Sequence, residues 1–472
     1  MGFVRALLIS TYDLGRQPFG LASPAAWLRR SGVEVDCADV SRDAVDDERI
    51  RAASLVAFYL PMHTATRLAG PLVERVRHVN PTARVAAYGL YAPLNAGWLR
   101  GRGVAHVLGP EAEEELARLA TEEPPADAPG ERDARARRGW LPGRRLPLVQ
   151  PDRSGLPPLS RYAALQMPDG SLRVAGATDA SRGCKHLCRH CPVVPVYDGV
   201  FRAVPLEVVL ADVRAQVEAG AEHISFGDPD FLNGPTHARR LVTRLADECP
   251  GLTYDVTIKI EHLLQHADLL GLLRDTGCLM VTSAVESIDD EVLGRLRKGH
   301  TRADFVAAVD LCRRAGLPLA PTFVPFTPWT TGAGYLELLD TIATLGLVPA
   351  VAPIQLGIRL LVTAESRLLE LPEIRERIEA FDPASLTYPW RHSDPEVDAL
   401  QARVMAIARD GAGASRHATF AAIAAAARGA TARADTGVCG APERGSVPDA
   451  IPHLTEAWYC CAEPGGDLPD LV

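Results

Sequence analysis

Cys184, Cys188 and Cys191 stand in the run Ser181-Arg-Gly-Cys-Lys-His-Leu-Cys-Arg-His-Cys-Pro192, a C-x-x-x-C-x-x-C spacing. Three soft thiolates from one short loop suit an iron–sulfur cluster and leave one iron without a protein ligand. An iron with an open position binds a small molecule, so the loop predicts redox catalysis rather than a structural staple. The competing reading is a zinc knuckle completed by His186 or His190. Zinc sites more often use two separated ligand pairs than one crowded triplet.

Further residues could serve the same chemistry. In Phe226-Gly-Asp-Pro-Asp-Phe231, Gly227 permits close backbone approach and Asp228 or Asp230 offers a charge partner; the same residues also make an ordinary strand-ending turn. Lys259, Glu261 and Arg359 could meet a charged ligand or form surface ion pairs. His63, in Leu60-Pro-Met-His-Thr64, could face a ligand or be a plain loop histidine. The C-terminal run Trp458-Tyr-Cys-Cys-Ala-Glu-Pro464 holds a vicinal pair, Cys460 and Cys461, which do not easily form a relaxed disulfide with each other. With Cys439 they would make three thiolates, enough for a trigonal, thiophilic centre such as trivalent arsenic. The alternative is that Cys439 is an unrelated loop thiol and the pair is incidental. Cys37, Cys249, Cys278 and Cys312 read as core residues.

These residues need elements to position them. Short β-branched or apolar runs at 3–11, 33–40, 54–60, 83–88 and 104–108 alternate with helical stretches near 22–31, 64–78 and 111–120. That alternation predicts a doubly wound parallel sheet over 1–120. Residues 121–165 change to Pro/Glu-rich and then Arg-rich sequence and read as a linker. Over 166–390, strands near 173–179, 222–227, 252–258, 279–284, 318–324 and 348–356 alternate with helices near 205–219, 236–248, 262–275, 303–315 and 333–345. Six such units predict a partial βα barrel with functional loops at the carboxyl ends of its strands. Residues 391–472 form a helical region with the cysteine-containing tail.

The chain has 472 residues, a net charge of −9 and 47% hydrophobic residues, so no general pull toward nucleic acid is expected. No apolar run reaches the ~18 residues a membrane helix needs, and the first ten residues are too short an apolar run for a signal peptide. A cytoplasmic protein is expected, its ten cysteines reduced. Only Lys185, Lys259 and Lys298 are lysines, and all lie in the predicted barrel.

The cysteine spacing, and the order of segments after it, resemble the radical SAM superfamily, whose 4Fe–4S cluster reductively cleaves S-adenosylmethionine. The resemblance implies that Cys184, Cys188 and Cys191 ligate the cluster, that Gly227, Asp228 and Asp230 hold the methionine ammonium, and that Lys259 and Arg359 are lesser candidates for its charged end. His190 stands where the family often has an aromatic near the adenine. Ser283-Ala-Val-Glu-Ser287 resembles the family's Gly-x-Glu-Ser, which implies ribose contacts for Glu286 and Ser287; a helix-capping carboxylate is the alternative. The first domain looks like a cobalamin-binding type, but without D-x-H-x-x-G no histidine-ligated cobalamin is expected. The tail resembles that of radical SAM proteins with a Cys-Cys-Ala-Glu-Pro ending, and the layout is similar to the radical SAM enzyme of arsinothricin biosynthesis. That likeness implies transfer of the 3-amino-3-carboxypropyl group to arsenite or another soft acceptor, with electrons from a flavodoxin or ferredoxin. One rival is cleavage to a 5′-deoxyadenosyl radical, with cobalamin as methyl carrier. The other is a non-enzymatic thiol protein that binds soft metals.

Overall fold

The apolar run Arg5–Ser10 is β1, the second strand of a five-stranded parallel sheet in the computed structural model, which describes residues 4–122, 148–411, 413–431 and 450–456. Its order is β2-β1-β3-β4-β5, with β2 at Glu34–Asp39, β3 at Leu55–Tyr59, β4 at Arg84–Tyr88 and β5 at His106–Val107. Five of the six residues of β1 are buried, because helices cover both faces; a parallel strand then reads as a continuous apolar run rather than an alternation. The helices Phe19–Arg30 and Glu113–Thr121 lie on one face and His63–Val79 on the other. Two short helices, Asp47–Ala52 and Ala96–Gly101, were too brief to show a helical period.

The second sheet has the order β13-β12-β11-β10-β7-β6-β14. Its parallel strands are β7 (Leu172–Thr178), β10 (His223–Phe226), β11 (Thr253–Thr257), β12 (Cys278–Glu286) and β13 (Leu319–Phe323). Antiparallel β6 (Ala164–Gln166) and β14 (His453–Leu454) extend one edge. Each parallel strand but the last leads through helix to its neighbour, which gives a curled half-barrel over one core. The sixth strand expected at 348–356 does not form. Val348–Ala350 and Pro353–Gly357 are 3-10 turns, since prolines at 349 and 353 cannot donate to a ladder. A single parallel bridge, Phe326 to Arg359, holds that position. The helix expected over 262–275 is two, Ile260–Gln265 and Asp268–Asp275. The helical region beyond 391 is present as Pro395–Asp410 and Arg416–Thr431. Cys439, Cys460 and Cys461 lie outside the described residues. Among the described residues no helix is long and apolar enough to cross a membrane.

Buried polar ties join the two sheets' layers. The Arg182 guanidinium meets the Glu113 carboxylate at 2.6 Å, and the Ser23 hydroxyl donates to the same oxygen at 2.7 Å. Arg153 spans Gln17 of the first domain and Asp212 of the barrel, donating at 2.8 Å to each. His63 opens its helix and points Nε2 at the Ser385 carbonyl, 2.6 Å away, so it faces protein rather than a ligand. Trp98 Nε1 donates to the Pro383 carbonyl at 3.0 Å beside it.

Glu113→Ala should strand a buried guanidinium and lower unfolding stability by about 3–5 kcal/mol, measured by denaturant titration against Glu122→Ala as an exposed control. The burial of His63 lowers its pKa to about 4, and its Nδ1 has no partner. The folded state therefore keeps this ring neutral where the unfolded chain takes up a proton near pH 6.5. Its contribution is complete above pH 6.5 and declines by about 3 kcal/mol as pH falls toward 4. A His63→Gln variant should show a flatter pH–stability curve over that window.

Candidate functional site

The cysteine loop begins where β7 ends. Residues Ser181–Gly183 form β8, which pairs antiparallel with β9 (Phe201–Ala203) and closes the excursion that carries the thiols. Gly183 adopts φ +75, and a Cβ there would fall 2.2 Å from the Val200 carbonyl oxygen and 2.5 Å from the Tyr197 ring. Only glycine fits. Cys184 and Cys188 are buried and Cys191 is half-buried, and none of them is in a disulfide. Burial raises the Cys184 pKa, against the opposing hydrogen bonds of the His186 backbone and Asn233; the Asn233 amide lies 3.6 Å from its Sγ.

The loop is held from below by Asp228. Its Oδ2 accepts from the Ala180 amide at 2.9 Å, and its Oδ1 accepts from the Ser181 hydroxyl. Burial pushes this carboxyl up to about 7. Asp228 is thus spent on the loop rather than turned toward an incoming ammonium. Gly227 is needed for a neighbour within the chain: a Cβ there would stand 2.4 Å from Asp179 Oδ1 and 3.7 Å from Arg16 Nη1. Arg16 belongs to the loop after β1, so the carboxyl ends of the two sheets face one another here. Asp13 of that loop is pushed up to about 7 by burial, with Arg16 opposing.

At the end of β12, Glu286 is buried at φ +68, where the register with β13 shifts. A left-handed, non-glycine residue is a strained position that surrounding structure must hold. Its carboxylate lies 3.0 Å from His190 Nε2 and 3.3 Å from Lys298 Nζ. Burial alone would raise its pKa, but Lys298 and then His190 outweigh that and bring it to about 2. Lys298 is 3% exposed. Burial works against its charge, yet Glu286, Cys188 and Cys191 together raise its pKa. An ammonium therefore lies beside the loop that carries two of the three thiols. Ser287 accepts from the Asp289 amide at 3.0 Å, and Asp289, not Glu286, caps the next helix.

The remaining candidates separate. Asp230 lies against His186 and His262, at 3.1 and 2.6 Å. Lys259 is 7% exposed and 3.5 Å from Glu261. Arg359 pairs with Asp398 at 2.6 Å and stacks on Trp390, so it is the surface ion pair of the two readings. Cys37, Cys249, Cys278 and Cys312 are buried in the cores. Asp179, Asn233 and His262 joined the site without a sequence motif; Lys298 lies in Val292-Leu-Gly-Arg-Leu-Arg-Lys-Gly-His-Thr301, the run that extends the resemblance after Glu286, and is one of only three lysines.

The donors fit an iron–sulfur cube better than one zinc ion. His186 and His190, the two candidate fourth ligands, are turned to Asp230 and Glu286. Among the described residues His186, Asp230 and His262 form a group whose ligand atoms suit a single ion, and the cysteine triplet is not such a group.

Gly183→Ala should reduce iron retained after anaerobic reconstitution by more than half, measured as iron per chain, while Gly199→Ala, whose Cβ would meet only ordinary van der Waals contacts at 3.5 Å or more, loses little beyond its φ strain.

Comparison with known proteins agrees with this geometry. A Radical SAM superfamily model matches residues 179–330. The tRNA-2-methylthio-N(6)-dimethylallyladenosine synthase of Fusobacterium nucleatum subsp. nucleatum is 27% identical over 177 residues, covering 34% of this chain and 39% of that protein. This chain therefore spans well under half the length of that relative. The cobalamin-dependent S-adenosylmethionine radical enzyme OxsB, solved with aqua-cobalamin, superposes with a TM-score of 0.62 at 13% identity, over 85% of this chain and 66% of its own. The radical S-adenosylmethionine methyltransferase TsrM from Kitasatospora setae, solved with cobalamin and a [4Fe-4S] cluster, gives 0.58 at 16% identity, over 92% and 100%. At such identities the two structures share the fold. The half-barrel bearing Cys184, Cys188 and Cys191 is a radical SAM superfamily domain, the type that takes a 4Fe–4S cluster and S-adenosylmethionine.

Proposed function

We propose that this chain is a radical SAM enzyme that holds its cluster on Cys184, Cys188 and Cys191 and reductively cleaves S-adenosylmethionine beside it. The observation that carries this is the thiol loop itself, pinned at the carboxyl end of β7 with both nearby histidines engaged elsewhere. A reduced cluster held by Cys184, Cys188 and Cys191 would supply the electron that such cleavage of a carbon–sulfur bond requires. The protein's part is placement. Asp228 holds the entry to the loop, Lys298 lends positive charge to the thiolates, and Glu286 orients His190 at Nε2. Lys259 is the residue near this mouth offered for the methionine end, with Glu286 and Ser287 for the ribose side.

For the acceptor, methyl transfer aided by cobalamin stands first, because the two enzymes sharing the fold over 85% and 92% of this chain are a cobalamin-dependent enzyme and a methyltransferase. His63 is turned to the Ser385 carbonyl and would not hold cobalamin, and D-x-H-x-x-G is absent. The second reading, aminocarboxypropyl transfer to arsenite held by Cys439, Cys460 and Cys461, rests on a different observation. Tyr12 of the loop after β1 donates to the Glu456 carboxylate at 2.7 Å, and Gly15 admits that side chain. Cys460 follows four residues later, a reach of at most about 14 Å from the loop that faces the barrel mouth.

One incubation separates these outcomes: reduced, iron-loaded protein with S-adenosylmethionine, with and without arsenite, and identification of the nucleoside. Methylthioadenosine only with arsenite, lost in Cys460→Ser/Cys461→Ser at unchanged iron content, supports the second reading. 5′-Deoxyadenosine in both arms, or methylation with cobalamin added, supports the first. Iron-loaded protein that cleaves nothing overturns the proposal.

A further inference from the structure

Beside the thiol loop, three side chains from three separate elements meet at one point. His186 comes from the loop between Cys184 and Cys188, Asp230 from the turn after β10, and His262 from the helix after β11. Asp230 is fully buried, and its Oδ1 accepts from the Leu232 amide at 3.2 Å, which fixes the direction of its other oxygen. That oxygen, Oδ2, lies 3.1 Å from His186 Nε2 and 2.6 Å from His262 Nδ1. His262 is only 9% exposed, and the three ligand atoms, one from each residue, all lie within 4.8 Å of one another. On the far side of His186, Nδ1 lies 3.6 Å from the Glu261 carboxylate, the kind of neighbour that orients metal-ligating imidazoles. A metal ion at this point would take the place of the ring protons that now bridge the histidines and Asp230.

We propose that His186, Asp230 and His262 bind a divalent first-row transition ion, with Glu261 as the group that orients His186. Two imidazoles and one carboxylate suit zinc or ferrous iron. Three protein ligands leave coordination positions open, as in sites that take water or a substrate oxygen. Because His186 sits inside the cysteine loop, occupancy also stiffens the segment that carries Cys184 and Cys188. The site goes beyond the cluster reading and does not depend on it.

The test uses the full chain with Cys184, Cys188 and Cys191 changed together to Ala, so that failure of the cluster reading cannot affect the result. Cobalt(II) titration should saturate at one equivalent, with visible ligand-field absorption and no thiolate-to-cobalt charge-transfer band. Asp230→Asn, which keeps the shape of the carboxylate, and His262→Gln should each weaken that binding at least tenfold. In the unaltered protein, one zinc per chain should survive desalting, be lost in Asp230→Asn, and leave the iron content intact. Absence of that zinc, equal cobalt binding in the variants, or binding seen only through a charge-transfer band would overturn the proposal and leave Asp230 as the hydrogen-bond acceptor of two histidines. Should His262→Gln fail to fold by circular dichroism, Asp230→Asn alone decides.

Discussion

Everything at the site depends on how Ala180, Ser181 and Arg182, just ahead of Gly183 and Cys184, are gripped. Ala180 and Ser181 are held by the buried carboxyl of Asp228, from the end of β10. The next residue, Arg182, is held by Glu113 and Ser23 from the first domain. A loop with three thiols has many conformations, and fixing each residue costs about 1–2 kcal/mol of conformational entropy. Anchoring its entry from two sides, and closing its exit through β8 and β9, confines the thiols before any ligand arrives. The same grip couples the two domains, because the arginine that meets the first domain lies two residues from a cysteine.

Charge is arranged around this anchor with little slack. Lys298 and Glu286 form a buried pair that would be costly if either partner were missing. The pair is completed by His190 on one side and by two thiols on the other. The left-handed backbone at Glu286 and the bulge beside it aim a carboxylate across the end of β12. A regular strand would have placed that side chain elsewhere. Strain here is tolerated because His190 and Lys298 hold the carboxylate in place.

The first domain contributes more than a covering layer. Its loop after β1 brings Asp13 and Arg16 to the barrel mouth beside Asp179 and Gly227, and it receives Glu456 from the end of the described C-terminal segment. Two sheets whose carboxyl ends face each other enclose a region where ligands of both could meet, which is where open α/β sheets place their ligands. The fold shared with OxsB and TsrM over most of the chain shows that this opposition of sheets is an architecture with other occupants.

Much of this was readable from the residues. The spacing of Cys184, Cys188 and Cys191, the alternation of strands and helices, and the core cysteines are local signals, carried by neighbours within a few positions. The failures were also local: prolines at 349 and 353 broke an apolar run that otherwise reads as a strand. What the order of residues could not show was where a charged side chain is spent. Asp228 and Asp230 are two positions apart and looked equivalent, yet one holds the loop's backbone and the other meets two histidines. Gly227 looked like room for a ligand and is room for Asp179. Those assignments join residues 30 to 100 positions apart, and only the strand order and register of the folded sheets decide which of them touch.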